Sequence, residues 1–154
     1  MAPAVRVPPT FGPTTRRGAN VVVAALSEGR GEELAAELGE RALFVRLDVT
    51  DEDAWAAAVT GTGRRFGPIA VLVDNAGVQK NPAAPIESTE RRVWDRVLDT
   101  NLTGTFLGTK TATPSLRRNG GGVIVNIAST MAHVGTPSYA PYVAGTWSRR
   151  RRRP

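Results

Sequence analysis

Short apolar runs alternate with amphipathic stretches along this chain. Residues 21–25 read Val-Val-Val-Ala-Ala, 42–47 read Ala-Leu-Phe-Val-Arg-Leu, 69–73 read Ile-Ala-Val-Leu-Val, and 123–127 read Val-Ile-Val-Asn-Ile. Such runs, short and without strict polar alternation, mark strands buried on both faces of a parallel sheet. Between them the period lengthens to that of a helix. Ser27 can cap a helix over 28–38, with Leu34 and Leu38 one turn apart and Gly39 as its stop. Thr50 or Asp51 caps a second that carries Trp55 and Val59 and ends near Gly61 or Gly63. Ser88 or Thr89 opens a third through Val93 and Val97. A fourth runs through Leu102, Phe106 and Leu107 toward Arg118, where Asn119-Gly-Gly-Gly122 breaks it. Strands alternating with helices at this spacing form crossover units. The predicted fold class is α/β, a doubly wound parallel sheet of Rossmann-like type.

Length and composition narrow the picture. A chain of 154 residues is expected to make one domain, here over 19–147. Residues 1–18 contain four prolines and no periodicity, so they are expected to be irregular. They are acid-free and faintly like a transit peptide, but have no apolar core of a secretory signal. No apolar run approaches the ~20 residues of a membrane helix, and a cytoplasmic protein is expected. There is no cysteine and only one histidine, which excludes disulfides, thiolate metal sites and multi-His sites. The net charge of +6 suggests nucleic acid until its distribution is read. Five arginines lie in the tail 148–154, and taking them from +6 leaves a body at +1. Nothing base-reading accompanies the tail, so no specific nucleic-acid partner is expected.

In an open parallel sheet, ligands bind beyond the carboxyl ends of the strands. The notable polar residues fall there. Asp48 follows the second strand, Asn75-Ala76-Gly77 the third, and Ser129 the fourth. The small residues Ala76 and Gly77 let a ligand approach the main chain closely. Asn101 interrupts an otherwise apolar helix and needs its amide satisfied if buried. A phenol such as Tyr142, with an ordinary pKa near ~10, becomes a useful base only where positive charge favours the phenolate.

Three motifs, in this order, carry a resemblance. They are Val71-Leu-Val-Asp-Asn-Ala-Gly77, Asp99-Thr-Asn101-Leu-Thr-Gly104, and Ser129 followed thirteen residues later by Tyr142. Together they resemble the short-chain dehydrogenase/reductase family over residues 19–145. The resemblance implies an oxidoreductase that uses NAD or NADP on a small-molecule alcohol or ketone. It assigns Tyr142 as general acid/base and cofactor contact, Ser129 as donor to the substrate oxygen, and Asn101 as the residue ordering a relay water. It places Asp48 and Val49 at the adenine ring and Asn75, Ala76 and Gly77 along the cofactor. It also implies subunit contacts, homomeric or heteromeric, through the helix over 101–118. Tyr139 is the rival phenol, but Val143 follows it by four and its spacing from Ser129 is ten.

The chain departs from the family at several points. The family motif Tyr-x-x-x-Lys ends here in Thr146, which is neutral and short. Asp74 stands where Asn is usual. The Gly-rich turn Thr-Gly-x-x-x-Gly-x-Gly does not precede the strand at 21–25; Gly12 is too close to Val21 for a turn and a full helix. The predicted sheet therefore lacks the first βα unit, whose strand should lie between the runs at 21–25 and 69–73. The C-terminal elements that close a substrate pocket are also expected to be missing. Ala25-Leu26-Ser27 and Arg30 give no readable choice between NAD and NADP. Of 20 basic residues only Lys80 and Lys110 are lysine, which suggests GC-rich coding and termini read out of frame or truncated. Little turnover is expected of the chain, and a non-catalytic remnant that binds or pairs is the alternative.

Overall fold

In the computed structural model, which describes Thr15, residues 17–79 and residues 83–148, strands and helices alternate in the expected order. The arginine run and most of the proline-rich head lie outside the described residues. The chain divides between Leu47 and Asp48 into two compact units.

The first unit contains β1 (Val21–Ala25), α1 (Glu28–Leu38) and β2 (Ala42–Arg46). The strands pair parallel, from Val21 opposite Ala42 to Ala25 opposite Arg46. α1 packs on both strands, and Phe44 lies so close to it that a Cβ at Gly31 would fall 2.1 Å from the ring. Only glycine admits that contact. The helix stops where expected: Gly39 has φ 80° and donates its N–H to the carbonyls of Ala35 and Ala36.

The second unit holds α2 (Glu52–Phe66), β3 (Val71–Asp74), α3 (Arg91–Leu98), a π-helical turn (Asp99–Thr103), α4 (Gly104–Arg118), β4 (Val123–Asn126) and α5 (Ala140–Trp147). Short 3-10 turns lie at Ile86–Ser88 and Thr130–Ala132. β3 and β4 pair parallel, Val71 opposite Val123 through Asp74 opposite Asn126. α4 lies against both strands and α2 packs on α4. Their core is Trp55, Ala58, Leu107, Ala112 and Leu116. The Trp55 indole also donates to the Val49 carbonyl at 3.0 Å, so its polar end is satisfied while its rings are buried.

Among the described residues the strands form two sheets of two, β1–β2 and β3–β4. Each strand runs parallel to a partner reached through a helix, as the α/β reading requires.

Several boundaries differ for identifiable reasons. α2 continues past Gly61 and Gly63 to Phe66, because neither glycine turns to positive φ; Gly67 does, at 85°. β3 begins at Val71 rather than 69, since the Ile69 N–H donates to Ser115 Oγ of α4 at 3.0 Å. Ser88 and Thr89 do not open α3. Both hydroxyls donate to the Pro85 carbonyl at 3.1 Å, and Glu90 takes the cap position instead. Asp51 does cap α2, accepting from the Ala54 N–H at 3.0 Å.

Candidate active site

A buried asparagine organises the site. Asn101 is fully shielded and sits in the π-helical turn between α3 and α4, a local widening that recurs where helices serve function. Its Nδ2 donates to the Val78 carbonyl at 2.8 Å, and its Oδ1 accepts from the Val78 N–H at 2.8 Å. A carboxamide offers one donor and one acceptor side by side, so it satisfies a peptide unit as a neighbouring strand would. The segment after β3, including Asn75, Ala76 and Gly77, is thereby clamped to the turn. α5 closes on the same residue. A Cβ at Gly145 would lie 2.9 Å from Asn101 Cβ, so only glycine allows this approach.

Ser129 precedes the 3-10 turn at Thr130–Ala132. Its Oγ accepts from the Met131 N–H at 3.2 Å and its carbonyl from the Ala132 N–H at 3.0 Å. The hydroxyl proton is left to donate elsewhere. α5 packs against this turn and against the π-helical turn, and Tyr142 lies in its first turn, half-buried. The structure thus brings together the segments that carry Asn101, Ser129 and Tyr142. Tyr139 sits just before α5, at its cap position. His133 is exposed at the end of the 3-10 turn.

Thr146 is 3% exposed, and its hydroxyl donates to the Tyr142 carbonyl at 2.8 Å within α5. The position that carries lysine in the resembled pattern is buried here and brings no charge to the phenol.

Asp48 and Val49 belong to the entrance of α2. Asp48 Oδ1 accepts from the Thr50 N–H at 2.9 Å and the Thr50 hydroxyl at 2.7 Å, forming an Asx turn. Val49 packs on α4, where a Cβ at Gly104 would fall 2.9 Å from it. Asp74 is buried and turns toward α4; the Thr109 hydroxyl lies 3.5 Å from its Oδ2.

These residues fit part of a dinucleotide. The open, small-residue segment Asn75-Ala76-Gly77 at a strand's carboxyl end can lie along a ribose. In the first unit, the N-terminus of α1 after Ser27 carries Glu28 in its first turn, which disfavours an anion there. Among the described residues no three His, Asp or Glu side chains are grouped to hold a metal ion.

Gly145 and Val78 are the partners that sequence reading missed. A glycine three residues after the phenol, in a helix otherwise well packed, was the available signal for the first. Val78 acts only through its backbone and left none.

The sequence profile of the short chain dehydrogenase family matches residues 13–148. The chain is 41% identical over 139 residues to trans-4-hydroxycyclohexanecarboxylate dehydrogenase of Sinomonas cyclohexanicum, covering 84% of this chain and 52% of that one. It is 41% identical over 129 residues to a Xanthobacter autotrophicus protein named inactive 2-(S)-hydroxypropyl-CoM dehydrogenase 2, covering 84% and 55%. It is 39% identical over 127 residues to 3-alpha-(or 20-beta)-hydroxysteroid dehydrogenase of Mycobacterium tuberculosis, covering 82% and 48%. The chain spans about half the length of these relatives. Among the described residues, no helix is long and apolar enough to cross a membrane.

Proposed function

The chain belongs to the short chain dehydrogenase family, and from that footing we propose that it carries the hydroxyl/carbonyl half of an NAD- or NADP-dependent oxidoreductase site. In that site Tyr142 is the group placed to pass a proton to or from the substrate oxygen, Ser129 to donate a hydrogen bond to it, and Asn101 to hold the surrounding backbone; with Thr146 in place of the family's lysine, little turnover by this chain itself is expected. The observation that carries this reading is the joint packing of α5 on the turns bearing Ser129 and Asn101. The substrate class it supports is a secondary alcohol or the matching ketone. Relatives named for a hydroxycyclohexanecarboxylate and for a hydroxysteroid favour one borne on a saturated ring. On this reading the protein works in the cytoplasm. Leu102 and Phe106, 40% and 57% exposed and one turn apart, support a subunit contact through the 101–118 helix.

A second reading rests on Thr146. With a neutral, buried, self-satisfied side chain at that position, the chain is a binding or pairing member of the family that does not itself turn over substrate. The relative named inactive is in keeping with it. Dinucleotide binding separates the two. Calorimetric titration with NADH and NADPH should give millimolar or weaker affinity for the second reading, and micromolar affinity for a working enzyme.

A further inference from the structure

The charges of the second unit are sorted by end. α2 closes on Arg64 and Arg65 and α4 on Arg117 and Arg118, all four exposed. The two helix ends lie side by side. The Ile69 N–H, just after α2, donates to Ser115 Oγ in the last turn of α4, and the Val123 N–H, just after the turn that ends α4, donates to the Ala70 carbonyl, both at 3.0 Å. Residues 60–73 and 111–125, which build this end, contain these four arginines and no Asp or Glu. The nine acidic residues between 48 and 154 stand at 48–53, 74 and 87–99, which is the start of α2, the end of β3 and the surroundings of α3.

Elsewhere in the unit cations answer acids: Arg91 pairs with Asp95, Arg92 with Glu90 and Lys110 with Glu52. The guanidiniums of Arg64, Arg117 and Arg118 pair with no carboxylate among the described residues. Arg65 lies over the Phe66 ring, 4.7 Å from its centroid. A helix dipole draws a cation to its carboxyl end, which accounts for arginine at each terminus. It does not account for two such termini meeting with every carboxylate kept away. Like charges gathered in this manner raise the local concentration of anions.

We propose that this arginine-bearing end docks on the phosphate backbone of duplex nucleic acid, without reading its sequence. Arginine's planar fork matches phosphate oxygens two at a time. Packed helices lie about 8–10 Å apart, so the two arginine pairs are spread too widely for one small phosphate. A duplex, with a charge about every 1.7 Å of its axis, meets both pairs at once. The exposed aromatic rings of the described residues, Phe106 and Trp147, belong to the start of α4 and the end of α5. None is therefore at this end to stack an unpaired base, which favours a duplex over a single strand. Nor does any side chain there hold a pattern that selects bases, so the contact is to backbone. The arginines stand at the carboxyl ends of α2 and α4, whereas Asn101 stands ahead of α4, and the inference holds whether or not the chain turns over substrate.

The test is an anisotropy titration of a labelled DNA duplex of mixed sequence across a series of salt concentrations. Arg149–Arg153 would bind phosphate on their own, so the reference is the full chain with each of those five changed to glutamine. It should still bind, with log K falling against log salt at a slope of about −3 to −4, close to four phosphates neutralised. Adding Arg117→Gln and Arg118→Gln should flatten the slope by about 2 and weaken binding at least about tenfold at low salt. Arg91→Gln with Arg92→Gln removes the same charge elsewhere and should change affinity less than about twofold, since both are already paired. Circular dichroism checks the fold of each variant. Loss of all binding on changing the tail alone, or equal loss from the two arginine pairs, overturns the proposal. So does tighter binding to phosphatidylserine vesicles, to poly-glutamate or to single-stranded DNA than to the duplex at matched charge.

Discussion

Replacing Asn101 by alanine removes both hydrogen bonds that hold Val78, each 2.8 Å long. A typical bond of this kind contributes about 0.5–1.5 kcal/mol net, and an abandoned buried peptide group costs about 1–3 kcal/mol. Water reaches the Val78 segment in part, so the two losses do not reach their upper bound. A destabilisation of about 2–4 kcal/mol is expected, from urea unfolding followed by tryptophan fluorescence, to which Trp55, buried in the same unit, contributes. Asn101→Asp refines the test. It keeps an acceptor for the Val78 N–H but sets a second oxygen against the Val78 carbonyl, unless the acid is protonated and donates. Burial and that carbonyl raise the folded-state pKa of the new acid above its unfolded value near ~3.9. The folded state then binds the proton more tightly, so the penalty is least below about pH 4 and grows as pH rises through the folded pKa. If Asn101→Ala unfolds within about 0.5 kcal/mol of the parent, or Asn101→Asp shows no pH dependence relative to it, Asn101 is not the clamp described.

Further substitutions test the packing around it. Gly145→Val drives a side chain into Asn101 and should cost about 1–3 kcal/mol in the same assay. Ser115→Ala leaves the Ile69 N–H without its acceptor in a residue 1% exposed, for a loss of about 1–2 kcal/mol. Gly61→Ala should stabilise by about 0.5–1 kcal/mol, because nothing lies within 4 Å of the added Cβ and α2 is helical there; a loss would contradict helical backbone at this position.

Much of the fold was legible because two periods alternate in the sequence. The strand runs at 21–25 and 42–47 and the helix over 28–38 carry their own stop in Gly39, and the structure places them within a residue of expectation. Where reading went astray, a distant partner decided. Ile69 left the strand for Ser115, forty-six residues away, and no local pattern announces that. Gly61 and Gly63 looked like stops because glycine often is one, yet a backbone carried by packing on α4 continues through them. The polar site residues were legible as residue types at strand ends. Their joint was not: Asn101 acts on a backbone amide, and backbone amides look alike in sequence.

Neutral, buried Thr146 stands where the family pattern has lysine and gives no positive charge to Tyr142, so little turnover is expected of this chain itself. Initial rates with NAD and NADP on cyclohexanol, and with NADH and NADPH on cyclohexanone, are measured for the parent and for Tyr142→Phe. Rates at the no-enzyme background are expected for both. Turnover by the parent on the order of 1 per second or faster, the range of ordinary enzymes, abolished by Tyr142→Phe, would contradict it.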